Sequence, residues 1–478
     1  MSRGRMVLFV GAIAGLALDG SASAAEELPA LRVSGSHRAL VTAEGAPFFW
    51  LGDTAWSLRQ LAPADVDVYM ARRAQDQFSV IQVHCGYDVA DHAGARPFQN
   101  DDPDRPNEPF WQSIDDIVAR ARDHGLYIAL VPMWGSEYGK AFGEDAPRAR
   151  RFGEWIGRRY AGQSHVLWIV SGEYDAINGY RVPISDAQRS VLMAVAEGLR
   201  SAHNGAQLMT IHPGVARTSS LDFHDADWLD FNMLQSGHTT DCEAYGMAGN
   251  HSLIEHDWAL VPTKPVLDGE PIYEDTPDGV WVRQDLNGPR ADAAAVRRKA
   301  YWAVFAGAFG HTYGHNDMYC FFEPAFSGQV AGLPGQRGSW RAALDAPGAV
   351  QMKHVRALVE SRPFLDRVPD PALVLGEPTR GLDHVQAIRA GNGSWAMAYI
   401  PNGKPTRISL RPLAGDRARA WWYDPRTGEA QRGAEYERRS DQDFEPPVGE
   451  AGQDWVLVLD DLAAGCSPPG RGPAPPPA

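Results

Sequence analysis

Two glutamates follow apolar segments in the way that is typical of paired catalytic carboxylates. Glu173 follows the segment HVLWIVSG (165–172), and Glu270 follows the segment KPVLDG (264–269). If both segments are buried strands of one barrel, their carboxyl ends open onto the same mouth, where the two side chains can face each other. Such a pair can break a glycosidic bond: one group protonates the leaving oxygen while the other attacks the anomeric carbon or activates water. We therefore predict Glu173 and Glu270 as catalytic residues, with Asp175 as the alternative proton donor.

Other polar and aromatic side chains follow the predicted strands and would surround this pair at the mouth. Carboxylates, amides and imidazoles can hydrogen-bond sugar hydroxyls, and an indole can stack on the apolar face of a sugar ring. The predicted substrate-binding residues are Asp53, Trp56, His84, Trp134, His212, Gln235, His238, Tyr273 and His315. Among them, Tyr273 lies three residues beyond Glu270, from where its hydroxyl could orient that carboxylate.

The sequence lacks the signals of other common chemistries. His311 and His315 have the spacing of a zinc-binding pair, but that pair needs a helix, and Gly310 and Gly314 favour a strand. There is no G-x-S-x-G segment for a serine nucleophile and no glycine-rich phosphate-binding loop. We therefore expect no metal and no cofactor.

The elements that must position these residues form a repeated pattern of apolar strands and amphipathic helices. Continuous apolar runs are typical of strands that are buried on both faces of a parallel sheet. The eight predicted strands are 48–52, 78–84, 126–132, 165–170, 207–212, 228–235, 264–269 and 309–315. Helical patterns at 63–74, 111–122, 185–200 and 293–308 lie between them. This alternation predicts an α/β fold, a (β/α)8 TIM barrel.

The pattern changes near residue 363, and four regions are predicted. Residues 1–24 combine Arg3 and Arg5, a short apolar run and a small-residue cleavage site, which is typical of a signal peptide. Residues 25–362 form the catalytic barrel. Short β-rich runs separated by turn signals such as Asn392-Gly393 predict a small β-sandwich over 363–462. Residues 463–478 are rich in Pro and Gly and are expected to be disordered.

Charge and hydropathy limit the partners. The chain of 478 residues has a formal net charge of −15, which disfavours binding to nucleic acid. Because of the predicted signal peptide, we expect a secreted or periplasmic protein, and no later segment is apolar enough to span a membrane. The paired carboxylates make carbohydrate the expected partner. Of the four cysteines, Cys85 is expected to be a buried thiol, and Cys242 and Cys320 are the pair to test for a disulfide. The oligomeric state is left open.

Several segments, in order, resemble the apiosidase-like glycoside hydrolases. ALVTAEGAPFFWLGDTAW (39–56) resembles their opening segment, and AQDQFSVIQVHCGYD (74–88) their second strand. VLWIVSGEYD (166–175) and KPVLDGEP (264–271) resemble their fourth and seventh strands, although the family commonly has Gly-Gly-Asp where this chain has Ser-Gly-Glu. TGEAQRG (427–433) and FEPPVGEAGQDWVLVLD (444–460) resemble the collagen-binding-type domain that often follows such barrels.

The resemblance implies a retaining glycoside hydrolase that acts on plant or microbial polysaccharides or oligosaccharides. Glu270 would be the nucleophile and Glu173 the acid/base, and a retaining mechanism needs the two carboxyl groups about 5–5.5 Å apart. Two alternatives stay open: a non-catalytic carbohydrate-binding or adhesion protein, and a metal-dependent barrel hydrolase.

Overall fold

The computed structural model describes residues 27–175, 182–326, 334–438, 441–447 and 453–472. The predicted signal peptide lies outside these ranges. The α-helices of the described residues are α1 (Pro63–Gln75), α2 (Glu108–Asp123), α3 (Gly135–Phe142), α4 (Ala146–Tyr160), α5 (Asp186–Ala202), α6 (Ser220–Phe223), α7 (Asn250–Trp258), α8 (Val280–Arg283), α9 (Ala293–Phe305), α10 (Trp340–Ala343) and α11 (Pro347–Glu360). None of these helices is both long and apolar enough to span a membrane.

Twelve strands belong to the first 320 residues of the described chain. They are β1 (Leu31–Val33), β2 (Leu40–Thr42), β3 (Pro47–Phe48), β4 (Trp50–Thr54), β5 (Val80–His84), β6 (Tyr127–Val131), β7 (Val166–Ile169), β8 (Met209–Thr210), β9 (Arg217–Thr218), β10 (Asn232–Gln235), β11 (Val266–Asp268) and β12 (Gly310–Tyr313). The first three form a small antiparallel sheet. Its Leu31 and Leu40 share a buried cluster with Trp50, Val80 and Tyr127, the first residues of β4, β5 and β6, and so close the N-terminal end of the barrel.

Eight parallel strands form the barrel predicted from the sequence. Their order is β8-β7-β6-β5-β4-β12-β11-β10, and β9 adds antiparallel to β10. The sheet ladder stops between β8 and β10, the fifth and sixth barrel strands. Three hydrogen bonds join the two segments there: the Asp230 amide donates to the Met209 carbonyl (2.9 Å), the Met209 amide donates to the Asp230 carboxylate (2.7 Å), and the Thr210 hydroxyl donates to the Phe231 carbonyl (2.7 Å). Each barrel strand lies within or overlaps one of the predicted apolar runs, so the predicted fold is confirmed.

The helices follow from their sequence patterns. Helix α2 buries Ile114, Ile117, Val118 and Ala121 along one stripe, as the spacing predicts. Helix α5 begins with a capping box in which the Ser185 hydroxyl accepts from the backbone of the third helical residue, whose side chain in turn accepts from the Ser185 amide. These helices cover the outside of the barrel and leave the carboxyl ends of the strands to the connecting loops.

The C-terminal domain is built from antiparallel strands. They are β13 (Arg367–Pro369), β14 (Gln386–Ala390), β15 (Trp395–Ile400), β16 (Thr406–Ser409), β17 (Arg417–Tyr423), β18 (Ala430–Glu437), β19 (Asp441–Phe444) and β20 (Trp455–Asp461). Six form one sheet in the order β13-β14-β15-β20-β17-β18, and β16 pairs with β19 in a second sheet. Ile408 and Phe444 of the small sheet share a buried cluster with Ala396 and Leu457 of the large one. The two layers therefore pack face to face, as predicted.

The other face of the large sheet packs on the barrel. Tyr399 stacks on Tyr301 of α9 with 4.9 Å between ring centroids. Arg297 pairs with Asp454 at 2.8 Å, so α9 is also tied to the domain by a buried ion pair. The β domain therefore supports the outer helices, and none of the hydrogen bonds described below for the paired carboxylates involves it.

The C-terminal tail and the cysteines differ from expectation. Residues 463–472 were expected to be disordered, but Pro469 is buried and Gly470 packs beside the Tyr423 ring, so this part of the tail lies on the β domain. Residues 473–478 lie outside the described residues. All four cysteines are free thiols, and the Cys242–Cys320 pair forms no disulfide.

Candidate active site

Glu173 is positioned by the continuation of β7 beyond its last paired residue. The amide of His212 donates to the carbonyl of Ser171 (2.9 Å), and the amide of Tyr174 donates to the carbonyl of His212 (3.1 Å). Glu173 has a positive φ of 39°, a conformation that costs a non-glycine residue about 1–3 kcal/mol. Gly172 has no room for a side chain, because a Cβ there would lie 1.5 Å from the Trp134 ring. The segment is thus held against its neighbours on both sides.

Glu270 follows β11 and is surrounded by hydrogen-bond donors. The His212 Nε2 lies 2.8 Å from Oε2, and the His238 Nε2 lies 3.3 Å from Oε1. The Tyr273 hydroxyl donates to Oε1 at 2.5 Å and accepts from the Trp56 indole at 3.1 Å. Three of the predicted substrate-binding residues, His212, His238 and Tyr273, therefore contact the predicted nucleophile, and a fourth, Trp56, holds the Tyr273 hydroxyl. Their bonds fix the carboxylate in one orientation.

The two carboxyl groups are driven to opposite protonation states. Burial and the negative charge of Glu270 raise the pKa of Glu173 to about 7, although Gln235 donates a hydrogen bond to its Oε1 at 3.2 Å. Burial would also raise the pKa of Glu270, but the hydrogen bonds from His212 and His238 outweigh it and lower that pKa. At mildly acidic pH, one group is therefore a proton donor and the other a carboxylate.

An aromatic layer borders the pair. Trp134 stacks with His84 (4.9 Å between centroids) and with His212 (6.3 Å), and it meets Trp56 edge to face (5.2 Å). His84 does not reach Glu270: its Nε2 lies 2.8 Å from Glu137 Oε2. His84 therefore supports the Trp134 ring from the side of Glu137. Trp56 contacts Tyr273, and Trp134 lies against Gly172, so these two rings are closer to the predicted catalytic carboxyl groups.

Three buried polar atoms in this cluster have no hydrogen-bond partner in the described part of the chain. They are His212 Nδ1, Gln235 Oε1 and His238 Nδ1. A neutral histidine that donates through Nε2 leaves Nδ1 as an acceptor, and an amide oxygen is also an acceptor. A buried acceptor without a hydrogen bond costs free energy. These three atoms are therefore suited to accept hydrogen bonds from the hydroxyl groups of a polyhydroxylated ligand.

Asp53 does not join the site, which corrects the substrate-binding role predicted for it. Its side chain is fully buried and points to the outer face of β4, where it pairs with Arg73 Nε at 2.5 Å and accepts from the Tyr69 hydroxyl at 2.6 Å. Both partners belong to α1. Asp53 therefore anchors a helix to the barrel and lies on the other side of the strand from the mouth.

His315 and Asp175 also form contacts of their own. His315 lies in the loop after β12, where its Nδ1 accepts from the Asp317 amide at 3.0 Å, and burial lowers its pKa to about 4. Asp175 is buried, pairs with Arg217 Nε at 2.5 Å and accepts from the Gly214 amide at 2.5 Å. Asp175 is therefore engaged by Arg217 and the Gly214 amide, whereas Glu173 lies beside Glu270 and stays the predicted proton donor.

The histidines of the HTYGH segment are not arranged as a zinc pair. His311 lies in β12, is fully buried, and has a pKa lowered by burial to about 3. Within the described ranges, no group of three or more His, Cys, Asp or Glu side chains is placed to hold a metal ion.

One supporting residue was missed by the sequence analysis. Glu137 accepts from the Trp134 amide at 2.6 Å and contacts His84, so it fixes both ring systems of the aromatic layer. Burial alone would raise the pKa of Glu137, but His84 and the backbone donors lower it to about 2. Glu137 is the third residue of α3 and forms only the glutamate half of a capping box, because the residue before the helix is a tryptophan and not Ser or Thr, so the sequence carries only a partial signal for it.

Comparison with known proteins shows the family to which the chain belongs. The family model described as "Apiosidase-like, catalytic domain" matches residues 34–366, and the model "Putative collagen-binding domain of a collagenase" matches residues 368–460. A solved structure named "Glycoside hydrolase" is 31% identical with a TM-score of 0.81, covering 91% of this chain and 97% of its own. A glycoside hydrolase family 5 protein from Bacteroides vulgatus is 33% identical with a TM-score of 0.81, covering 91% of this chain and 93% of its own. None of the curated proteins matches the chain.

The barrel and the paired carboxylates at its mouth define a glycoside hydrolase. Within that class, the chain belongs to the apiosidase-like family, whose catalytic-domain model covers more than half of its length.

Proposed function

We propose that the protein is an exported, retaining glycoside hydrolase that acts on plant or microbial polysaccharides or on oligosaccharides derived from them. The main support for this proposal is that the pKa values of two neighbouring carboxyl groups are shifted in opposite directions. The pKa of Glu173 is raised to about 7 and that of Glu270 is lowered, so the pair holds one proton donor and one nucleophile. This division of roles is what double displacement at an anomeric carbon requires.

In the first step, Glu270 attacks the anomeric carbon and the bond from that carbon to the glycosidic oxygen breaks. Glu173 gives its proton to the departing oxygen, so the leaving group departs as a neutral alcohol. In the second step, the ionised Glu173 takes a proton from water, and the water oxygen attacks the anomeric carbon. The ester to Glu270 breaks and both carboxyl groups return to their starting states.

The neighbours of Glu270 assist by orientation. Donors from His212, His238 and Tyr273 hold the carboxylate so that one oxygen can approach the anomeric carbon without rearrangement. The three unpartnered acceptors, His212 Nδ1, Gln235 Oε1 and His238 Nδ1, would receive sugar hydroxyls. Trp56 and Trp134 would supply the apolar surface for the sugar ring. Apiose is the first sugar to test because of the family to which the chain belongs.

Export rests on the signal-peptide pattern of residues 1–24, in which two arginines precede the apolar run Met6–Leu18. The collagen-binding-type family model over residues 368–460 makes the β domain an accessory module in this proposal. Its large sheet packs on the barrel helices, so its most direct contribution is to hold those helices in place.

Sugar release tests the proposal. Wild type and Glu270→Gln are incubated with pectic and hemicellulosic oligosaccharides, including apiose-bearing ones, and the released sugars are identified by chromatography. The proposal expects release by the wild type and none by Glu270→Gln, with oligosaccharide binding retained. Glycan binding without release by the wild type would favour an adhesion protein instead. Loss of release after dialysis against a chelator would favour a metal-dependent hydrolase.

A further inference from the structure

A cavity of about 250 Å³ opens beside the paired carboxylates. It is formed by the loops that follow β8, β10 and β11, the fifth, sixth and seventh barrel strands. Val215, Met247, Trp281 and Val282 supply its apolar wall, and His238 connects it to the catalytic cluster through the 3.3 Å contact with Glu270. The cavity therefore adjoins the site without being part of the carboxylate cluster itself.

The wall of the cavity is apolar where water reaches it. Trp281 and Val282 lie on the short helix α8 with 49% and 63% of their surfaces exposed. An indole and an isopropyl group left in water at the rim of a cavity indicate a surface that an apolar ligand covers. A second sugar would meet few partners here, because its ring hydroxyls need hydrogen bonds that these side chains cannot make.

The volume and the polar neighbour limit the ligand further. About 250 Å³ is below the range of about 300–1,000 Å³ that is typical of sites for drug-sized ligands, so the cavity suits one small ring system. His238 and Thr239 are the polar side chains of the lining beside the Trp281 indole, and His238 Nδ1 is already assigned to a sugar hydroxyl, so the ring needs no polar group beyond the oxygen that links it to the sugar. A flat aromatic ring that is linked to the sugar through one oxygen and departs as a phenol fits both features.

The position of the cavity agrees with the leaving-group side of the reaction. The segment from Gln235 to His238 contacts both carboxyl groups, since Gln235 donates to Glu173 and His238 contacts Glu270. Trp56 and Trp134 come from the loops after β4 and β6, the first and third barrel strands, and border another part of the rim. The mouth thus has one aromatic border for the sugar and a separate apolar cavity beside the 235–238 segment, which contacts both carboxyl groups.

We propose that this cavity is a subsite for a phenolic leaving group, so that the enzyme cleaves aryl glycosides with Trp281 as the residue that selects them. This proposal rests on the proposed glycoside hydrolysis for its chemistry. Binding of the free phenol does not require any turnover, however, so the subsite can be tested even if the hydrolysis proposal fails.

The first test measures binding of the free phenol 4-methylumbelliferone to the full-length protein by titration calorimetry. We expect saturable 1:1 binding to wild type, binding about tenfold weaker or more by Trp281→Ala, and recovery to within about threefold by Trp281→Phe. Trp281 is half exposed, so its replacement leaves the fold intact. The matched control is Leu382→Ala, which removes an exposed apolar side chain of the β domain and should leave binding unchanged. Absence of binding to wild type, or equal binding by Trp281→Ala, would overturn the subsite.

The second test compares leaving groups once a released sugar has been identified. For the 4-methylumbelliferyl glycoside of that sugar, Trp281→Ala should lower kcat/KM about tenfold, while for a disaccharide with the same sugar it should change kcat/KM less than about twofold. An equal loss on both substrates would mean that Trp281 supports the whole site and does not select an aryl group. If wild type releases no sugar but binds 4-methylumbelliferone through Trp281, the hydrolysis proposal fails and the subsite stands.

Discussion

Replacing Glu173 with Gln should remove the proton donor while preserving the size and most contacts of the side chain. For a substrate with a poor leaving group, we expect kcat/KM to fall by about 10²–10⁴-fold, the range that general acid catalysis contributes. An activated leaving group such as dinitrophenolate departs without a proton, so its first step should be almost unaffected. Added azide, which needs no general base, should then restore turnover and give a glycosyl azide of retained configuration.

The pKa of Glu173 sets the fraction of the enzyme that is active at each pH. With the pKa of Glu173 at about 7, roughly 90% of the enzyme carries the needed proton at pH 6, against roughly 3% at the ordinary value of 4.5. Because the pKa is raised, activity is present at lower pH and is lost as the pH rises through about 7. In wild type, kcat/KM should therefore decline on the alkaline side near pH 7, and in Glu173→Gln this decline should disappear.

The matched control is Asp175→Asn, which changes the carboxylate two residues away. Asp175 is bound by Arg217 and the Gly214 amide, so we expect this variant to lose stability but to keep the alkaline decline. Initial rates over pH 4–9 and thermal unfolding of both variants would be recorded together. If Asp175→Asn abolished the alkaline decline and Glu173→Gln kept it, the assignment of the proton donor would be refuted.

Three further substitutions test the residues that surround or support Glu173 and Glu270. Tyr273→Phe removes a hydrogen-bond donor to Glu270, so the pKa of Glu270 should rise. The acidic decline of kcat/KM should therefore move to higher pH, and the rate at the optimum pH should fall about tenfold or more. Gly172→Ala places a methyl group within 1.6 Å of the Trp134 ring, so it should cost about 1–3 kcal/mol in urea unfolding and lower activity. Asp53→Ala leaves Arg73 buried without its anion, so it should lower the free energy of unfolding by about 3–5 kcal/mol while KM of the folded fraction stays constant.

Each of these changes has an outcome that contradicts the structure. An unchanged pH profile for Tyr273→Phe would remove the hydroxyl from the nucleophile's environment. Wild-type activity in Gly172→Ala would mean that Trp134 does not lie where it is described. A large rise in KM for Asp53→Ala, without loss of stability, would mean that Asp53 faces the barrel mouth and binds substrate, as the sequence predicts.

The fold was largely predictable because buried parallel strands are continuous apolar runs and four of the helices between them have a recognisable amphipathic pattern. The strands that escaped prediction lack this signal: β9 has only the residues Arg217 and Thr218, and the sequence of β18, AQRGAEYE, is mostly polar because much of it faces solvent. Their pairing is decided by neighbours that are distant in sequence. The tail at 463–472 was misjudged for a similar reason, since composition does not show that Pro469 meets the β domain.

The site was predictable as far as it depends on strand ends. Glu173, Glu270 and Gln235 lie where the strand ends place them, but the direction of a side chain at the last residues of a strand follows the alternation of the sheet. Asp53 shows this limit, because one position along β4 separates the mouth from the outer face. The cavity at Trp281 also escaped prediction, since three loops that are distant in sequence form it.

The central claim is that Glu270 forms a covalent bond to the sugar, and mass spectrometry of a trapped intermediate tests it most directly. Glu173→Gln would be mixed with a dinitrophenyl glycoside of the released sugar, quenched in acid and digested, because the missing base slows the second step and lets the intermediate accumulate. We expect one sugar residue added to the peptide that contains Glu270, and no addition in Glu173→Gln/Glu270→Gln. A sugar found on another side chain, or release of product with inverted configuration and no adduct, would contradict it.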